Sequence, residues 1–141
     1  MFTKTQKVYF GHIDKAGIVY HPHFIDYFNQ AYEDFLEELG FDEKNFRSDH
    51  GVRVPVVNVD VDFEEPMGSG DRLEIHVTVR KLGRSSMVFH FDTTDAREDH
   101  TVVEGEVTRV TVDDSFQPTP IPEAIRQALE PHLEDDDETA A

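Results

Sequence analysis

The chain has 141 residues, with 30 Asp and Glu against 13 Lys and Arg, a formal net charge of -17 and no cysteine. Disulfides, thiolate metal sites and a cysteine nucleophile are therefore excluded, and a field of this sign repels phosphate backbones, so no nucleic-acid partner is expected. The length suits one domain with a proper core, expected over residues 1–133 with an acidic disordered tail over 134–141. No run of about 18 apolar residues and no leader pattern is present, which predicts a cytoplasmic protein without a membrane span. The acidity has two readings. One is a solvated surface plus the tail, since residues 134–138 alone supply five carboxylates. The other is adaptation to concentrated salt, where screening relieves self-repulsion.

In chain order, Lys4 to Phe10 alternates toward Val8 and Phe10 and predicts a first strand. A polar loop holding Asp14 follows, then Tyr20-His21-Pro22-His23 and an amphipathic helix. Phe24, Phe28, Ala31, Phe35 and Leu39 recur at helical period, with Ile25, Tyr32 and Leu36 widening the stripe. Pro22 suits a helix start and Gly40 a left-handed helix end. Phe41 to Gly51 is charged and irregular. Val57, Val59, Val61 and Phe63 alternate with Asn58, Asp60, Asp62 and Glu64, predicting a strand with one buried face. Pro66 and Gly68-Ser69-Gly70 end it. Leu73 to Val79 and Met87 to Phe91 alternate in the same way, joined by a tight connection at Gly83, and Asp95 to Asp99 is the next turn. Thr101 to Val112 is the last long strand, with Gly105 marking a bulge or close approach. Pro118, Pro120 and Pro122 lead into a short helix around Ile125, Ala128 and Leu129. One helix followed by four consecutive strands is an α+β arrangement with an antiparallel sheet.

The chemistry concentrates at the start of the first helix. Backbone N–H groups there lack intrahelical partners and the dipole adds partial positive charge, so a developing oxyanion would be stabilised. Asp14, seven residues ahead of His21, is placed to supply a carboxylate nucleophile or base, although taken without its surrounding motif it is more simply a turn or capping carboxylate before a glycine. His12, Asp14, His21 and His23 are all metal-ligand types, yet their spacing matches no tight ligand pattern. Glu33, Asp34, Glu37 and Glu38 fall off the apolar stripe, as a solvated helix face does.

From Phe10 through Asp14, Gly17, Val19, Tyr20 and His21 to Pro22, the chain resembles the acyl-CoA thioesterases of the 4-hydroxybenzoyl-CoA thioesterase and YbgC type. Their signature is an Asp, a small residue, Gly, two aliphatics, an aromatic and the start of the long helix. The likeness extends over nearly the whole chain, and His21 leans it to the YbgC side. What the resemblance implies is a hot-dog fold, one long central helix wrapped by a curled sheet, and hydrolysis of an acyl-CoA to free acid and coenzyme A. It implies Asp14 and His21 as the catalytic pair, with the backbone N–H near His21 polarising the carbonyl. Gly17, Val19, Tyr20 and His23 would lie along the substrate, and Arg84 and Ser85 toward coenzyme A. It further implies a homodimer or a tetramer of paired dimers, with no cofactor beyond the coenzyme A of the substrate. Phe10 and Ile13 depart from the family pattern, which keeps a non-catalytic acyl-CoA or acyl-carrier binding protein as an alternative. A hydratase or dehydratase using His21 as base is another.

Overall fold

The computed structural model describes residues 1–98 and 100–134. Strands β1 (Phe2–Lys7), β2 (Val56–Phe63), β3 (Arg72–Leu82), β4 (Ser86–Asp95) and β5 (Thr101–Val110) form one antiparallel sheet in the order β1-β3-β4-β5-β2. Helices α1 (Pro22–Glu38), α2 (Phe46–His50) and α3 (Glu123–Leu129) complete the α+β architecture. Alternation along the central strands sends Leu73, Ile75, Val77, Val79, Met87, Phe89, Phe91 and Val107 into the core.

The 17-residue α1 lays Phe24, Tyr27, Phe28, Ala31, Tyr32, Phe35 and Leu36 into the same core. Ile25 and Leu39, expected in the stripe, are only half-buried, whereas Tyr27 is buried. The Phe28 ring stacks on Phe91 at 4.8 Å and 17°, and this close approach needs the glycine at position 105. A Cβ there would stand 2.5 Å from Phe28 Cε2. Gly105→Val is expected to cost about 2–3 kcal/mol by overpacking, a fall in Tm of roughly 10 °C. A melting curve that does not move would show that the ring gives way freely.

Three expectations are corrected. First, β1 ends at Lys7: Val8 N–H donates to Asp71 O, and its carbonyl accepts from Gly70 N–H. The chain is thereby drawn off the sheet, leaving Phe10 in a 3-10 turn (Phe10–His12) and 83% exposed. Second, the irregular stretch after α1 contains a 3-10 turn (Glu43–Asn45) and α2, the turn opened by Asp42 accepting from Lys44 N–H and the helix stopped by Gly51 at φ +71°. Third, β2 has no buried face. Its register aligns Val59 with Val107 and Phe63 with Val103 on the inner side, but as an edge strand it is only thinly covered by the described residues, and Val57 and Phe63 are 59% and 50% exposed. Glu134, the first residue of the expected tail, lies against the sheet, and residues 135–141 of that tail lie outside the described residues.

Glu134 caps a network on the outer sheet face. Its N–H donates to Val79 O at 2.8 Å. Its carboxylate accepts from Thr78 Oγ1 and Arg80 Nε at 2.8 Å and lies 2.7 Å from His90 Nδ1. Burial pushes the Glu134 carboxyl up, but hydrogen bonds from Arg80 and Thr78 and the nearby charges outweigh it and hold the group below its usual 4.5. A carboxyl lowered on folding adds stability that is present above the unfolded value and lost as pH falls through the folded one. The Tm difference between wild type and Glu134→Gln is therefore expected to be full at pH 7 and to close below about pH 4. A difference independent of pH would show that the ion pairs contribute nothing.

Arg109 is the other buried polar centre. Parity places it on the inner face beside Val107, and its guanidinium donates to Val54 O at 3.0 Å, Glu43 Oε1 at 3.1 Å and Asn29 Oδ1 at 3.1 Å. It also covers the Tyr32 ring at 3.8 Å. Burial pushes the Glu43 carboxyl up, against the opposing charge of Arg109. This side chain ties the segment after α1 to the sheet.

Candidate active site

The loop between β1 and α1 is shaped by its own hydrogen bonds. Asp14 N–H donates to Ile18 O at 2.9 Å and Gly17 N–H to Asp14 O at 3.1 Å. Gly17, at φ +83°, supplies the left-handed residue that closes the turn. Val19 N–H donates to Met67 O, and Tyr20 N–H to His12 O, both at 2.9 Å, so the loop is pinned to the segment after β2. Ala16 N–H donates to Asp14 Oδ1 at 2.8 Å, the turn role of an aspartate. The second oxygen, Oδ2, has no hydrogen bond among the described residues. One carboxylate thus serves as both turn brace and free acceptor.

His21 is the N-cap of α1. Pro22 has no N–H, while His23 N–H and Phe24 N–H already donate to Tyr20 O and His21 O at 2.9 and 3.1 Å. The expected group of free donors at this helix start is therefore narrower, and His21 N–H is the one beside the loop that lacks a partner among the described residues. It sits at the positive end of the helix dipole. The His21 ring lies 5.2 Å from that of Tyr20 and 6.1 Å, edge to face, from that of Phe63.

Asp14 and His21 line one cavity of about 290 Å³, with Val19, Phe24, Phe63 and Met67 as its apolar wall and Glu64 and Glu65 at its edge. Phe24 and Phe63 meet edge to face at 5.7 Å. On the other side of Asp14 a second hollow is lined by Lys15, Tyr20 and His23. Of the sequence-predicted positions, Asp14, Val19 and His21 share the cavity; Tyr20 and His23 share the hollow; Gly17 shapes the turn between them. Arg84 and Ser85 are elsewhere. They sit in the β3–β4 turn, their carbonyls accepting from Ile121 and Thr111 N–H. That turn is at the far end of the 11-residue β3, roughly 35 Å of strand away.

The residues missed from sequence are the wall after β2, Phe63 through Met67, and a brace under the loop. His12 Nδ1 and Tyr27 Oη are 2.7 Å apart, and the His12 ring lies 4.7 Å from that of His23. Burial, then Asp26, pushes Tyr27 up to about 12, so its hydroxyl stays protonated. Parity along β2 already put Phe63 on the inner side; the Tyr27–His12 contact carries no sequence signal. Among the described residues no group of three or more His, Asp or Glu is arranged to hold a metal ion, and no helix is long and apolar enough to cross a membrane.

A model of the thioesterase-like superfamily matches residues 8–129. The chain is 34% identical over 83 residues, 59% of its length and 61% of the relative's, to the 1,4-dihydroxy-2-naphthoyl-CoA hydrolase of Crocosphaera subtropica. Against the protein of the same name from Nostoc punctiforme it is 33% identical over 136 residues, 95% of this chain and 90% of that one. A solved gentisyl-coenzyme A thioesterase superposes with a TM-score of 0.79 at 26% identity, covering 89% of this chain and all but 1% of the other. Asp14 and His21 line one cavity, and by the family model over residues 8–129 and these relatives the chain belongs to the thioesterase-like superfamily and is an acyl-CoA thioester hydrolase.

Proposed function

We propose that the acyl group of the substrate is aromatic and that Asp14 is the catalytic carboxylate. The observation that carries this is the cavity where Asp14 and His21 face the aromatic edges of Phe24 and Phe63, in a chain whose relatives are named for naphthoyl-CoA and gentisyl-CoA substrates. The acyl ring lies against Phe24, Phe63 and Met67, and His21 N–H donates to the thioester carbonyl oxygen, more strongly as it becomes an oxyanion. Asp14 then either attacks the carbonyl, giving a mixed anhydride that water opens, or takes a proton from the attacking water. Coenzyme A leaves as the thiol. Nothing beyond the substrate's own coenzyme A is required. The test is free-thiol release from naphthoyl-, benzoyl- and hexanoyl-CoA. An aryl kcat/KM at least about tenfold above the hexanoyl value supports the reading, and an aliphatic preference overturns it.

In this reading α1 is the central helix of a hot-dog arrangement, and the working form is a homodimer or a tetramer of paired dimers. Support comes from β2, an edge strand with uncovered Val57, Val59 and Phe63 and unpaired backbone groups on its open side. A second protomer is also the route by which Arg84 and Ser85 could approach coenzyme A. With -17 per chain, protomers repel over a Debye length of roughly 10 Å at 0.1 M salt but only about 3 Å at 1 M. Light scattering and Tm from dilute buffer to molar potassium chloride are expected to show stronger assembly and higher melting. A monomer throughout would count against shared sites, and a flat response would assign the acidity to surface and tail.

A further inference from the structure

The cavity carries two carboxylates that hydrolysis does not use. Glu64 and Glu65 follow β2, and both of their N–H groups donate to Val102 O, at 2.9 and 3.1 Å, which turns the chain off the sheet and fixes both residues at the cavity edge. Their situations differ. Glu65 Oε2 is 2.6 Å from His100 Nε2, while His100 Nδ1 faces Glu98 at 3.5 Å. The bond to Glu65 pushes the His100 imidazole up, so Glu65 is held and partly neutralised. The Glu64 carboxylate has neither hydrogen bond nor ion pair among the described residues. No lysine or arginine stands among the cavity's lining residues, so a carboxylate on the acyl group would find no lysine or arginine to pair with there.

We infer that Glu64 is a specificity-determining residue: its carboxylate accepts a hydrogen bond from a hydroxyl on the acyl group and turns away acyl groups that carry a carboxylate of their own. The inference rests on the reading of this cavity as the acyl site. Its physical basis is twofold. An apolar wall grips a ring or chain without regard to its substituents, so discrimination falls to the polar edge. A free carboxylate at that edge is an acceptor only, which favours donors and repels like charge. Glu65, clamped by His100, holds the edge in place and leaves Glu64 as the open acceptor.

The test compares kcat/KM ratios within matched substrates, so that any common change in turnover cancels. Hydroxybenzoyl-, benzoyl- and carboxybenzoyl-CoA are assayed with wild type, Glu64→Ala and Glu64→Gln, both substitutions at an exposed position. In Glu64→Ala the hydroxybenzoyl-to-benzoyl ratio is expected to fall about tenfold and the carboxybenzoyl-to-benzoyl ratio to rise several-fold. Glu64→Gln keeps an acceptor oxygen without charge, so it is expected to relieve the rejection of carboxybenzoyl-CoA while preserving part of the hydroxyl preference. Ratios within about twofold of wild type in Glu64→Ala would make Glu64 a solvated strand-end carboxylate and overturn the inference. Should wild type hydrolyse no aryl-CoA, the aromatic reading fails by itself. The same comparison with hydroxypentanoyl-, pentanoyl- and glutaryl-CoA then decides the role of Glu64 independently.

Discussion

Asp14→Asn is expected to lower kcat for thioester hydrolysis by about 100-fold or more while Tm and coenzyme A binding stay near wild type. The separation follows from the two jobs of the side chain. Its Oδ1 accepts from Ala16 N–H, and an asparagine carbonyl makes the same turn contact. The loop should therefore survive, and with it the contacts to Met67 and His12. In the proposed mechanism what is lost is the negative charge on a carboxylate lining the cavity, needed whether Asp14 attacks the carbonyl or deprotonates water. Thiol release and thermal melting on the same preparation decide the matter. Wild-type turnover in the variant would remove Asp14 from the mechanism, and a large fall in Tm would show that the turn, rather than the chemistry, had been damaged.

The second large effect is on stability. Arg109→Leu is expected to cost about 3–5 kcal/mol, because it strands a half-buried Glu43 carboxylate that already resists ionisation and leaves Asn29 and Val54 O without their donor. For a chain of this size that is a fall in Tm of roughly 10–20 °C. Removing both charges is less harmful than removing one, so Arg109→Leu with Glu43→Leu should recover much of the loss. A double variant no better than the single one would place the cost in lost packing over the Tyr32 ring instead of in the stranded charge.

What the sequence revealed depended on how local each cause was. β3, β4 and the apolar face of α1 are covered on that side by the chain itself, so their periods predicted most of the burial, and of the two readings of Gly105, a bulge or a close approach, the structure bears out the second. β2 has the same alternation and the opposite outcome, since burial of an edge strand is decided by what lies beside it. Phe10 looked apolar enough for β1, but the exit of the chain is set by hydrogen bonds from Val8 to residues 70 and 71. The segment 43–50 is too short to display a helical period. Arg109 could have been found: parity with Gly105 and Val107 puts a cation on a buried face, which demands partners. At the site, the turn at Asp14 and the helix start at His21 are close in sequence, so their nearness in space was visible. The wall from Phe63 to Met67 comes from more than 40 positions away and is joined to the loop by backbone bonds that leave no mark on side-chain identity.

Phe63 belongs to two surfaces at once. Half of it is exposed on the open edge of the sheet, and it also forms the cavity wall against Phe24 and His21. Any event that settles this ring on one surface changes the free energy of the other. Thermodynamic reciprocity then requires the two to be linked by the same factor in both directions: if covering the edge of β2 tightens acyl binding, acyl binding must equally tighten whatever covers that edge. In the proposed oligomer, occupancy of the cavity and the state of the sheet edge are coupled variables, and an affinity measured at one protein concentration need not hold at another.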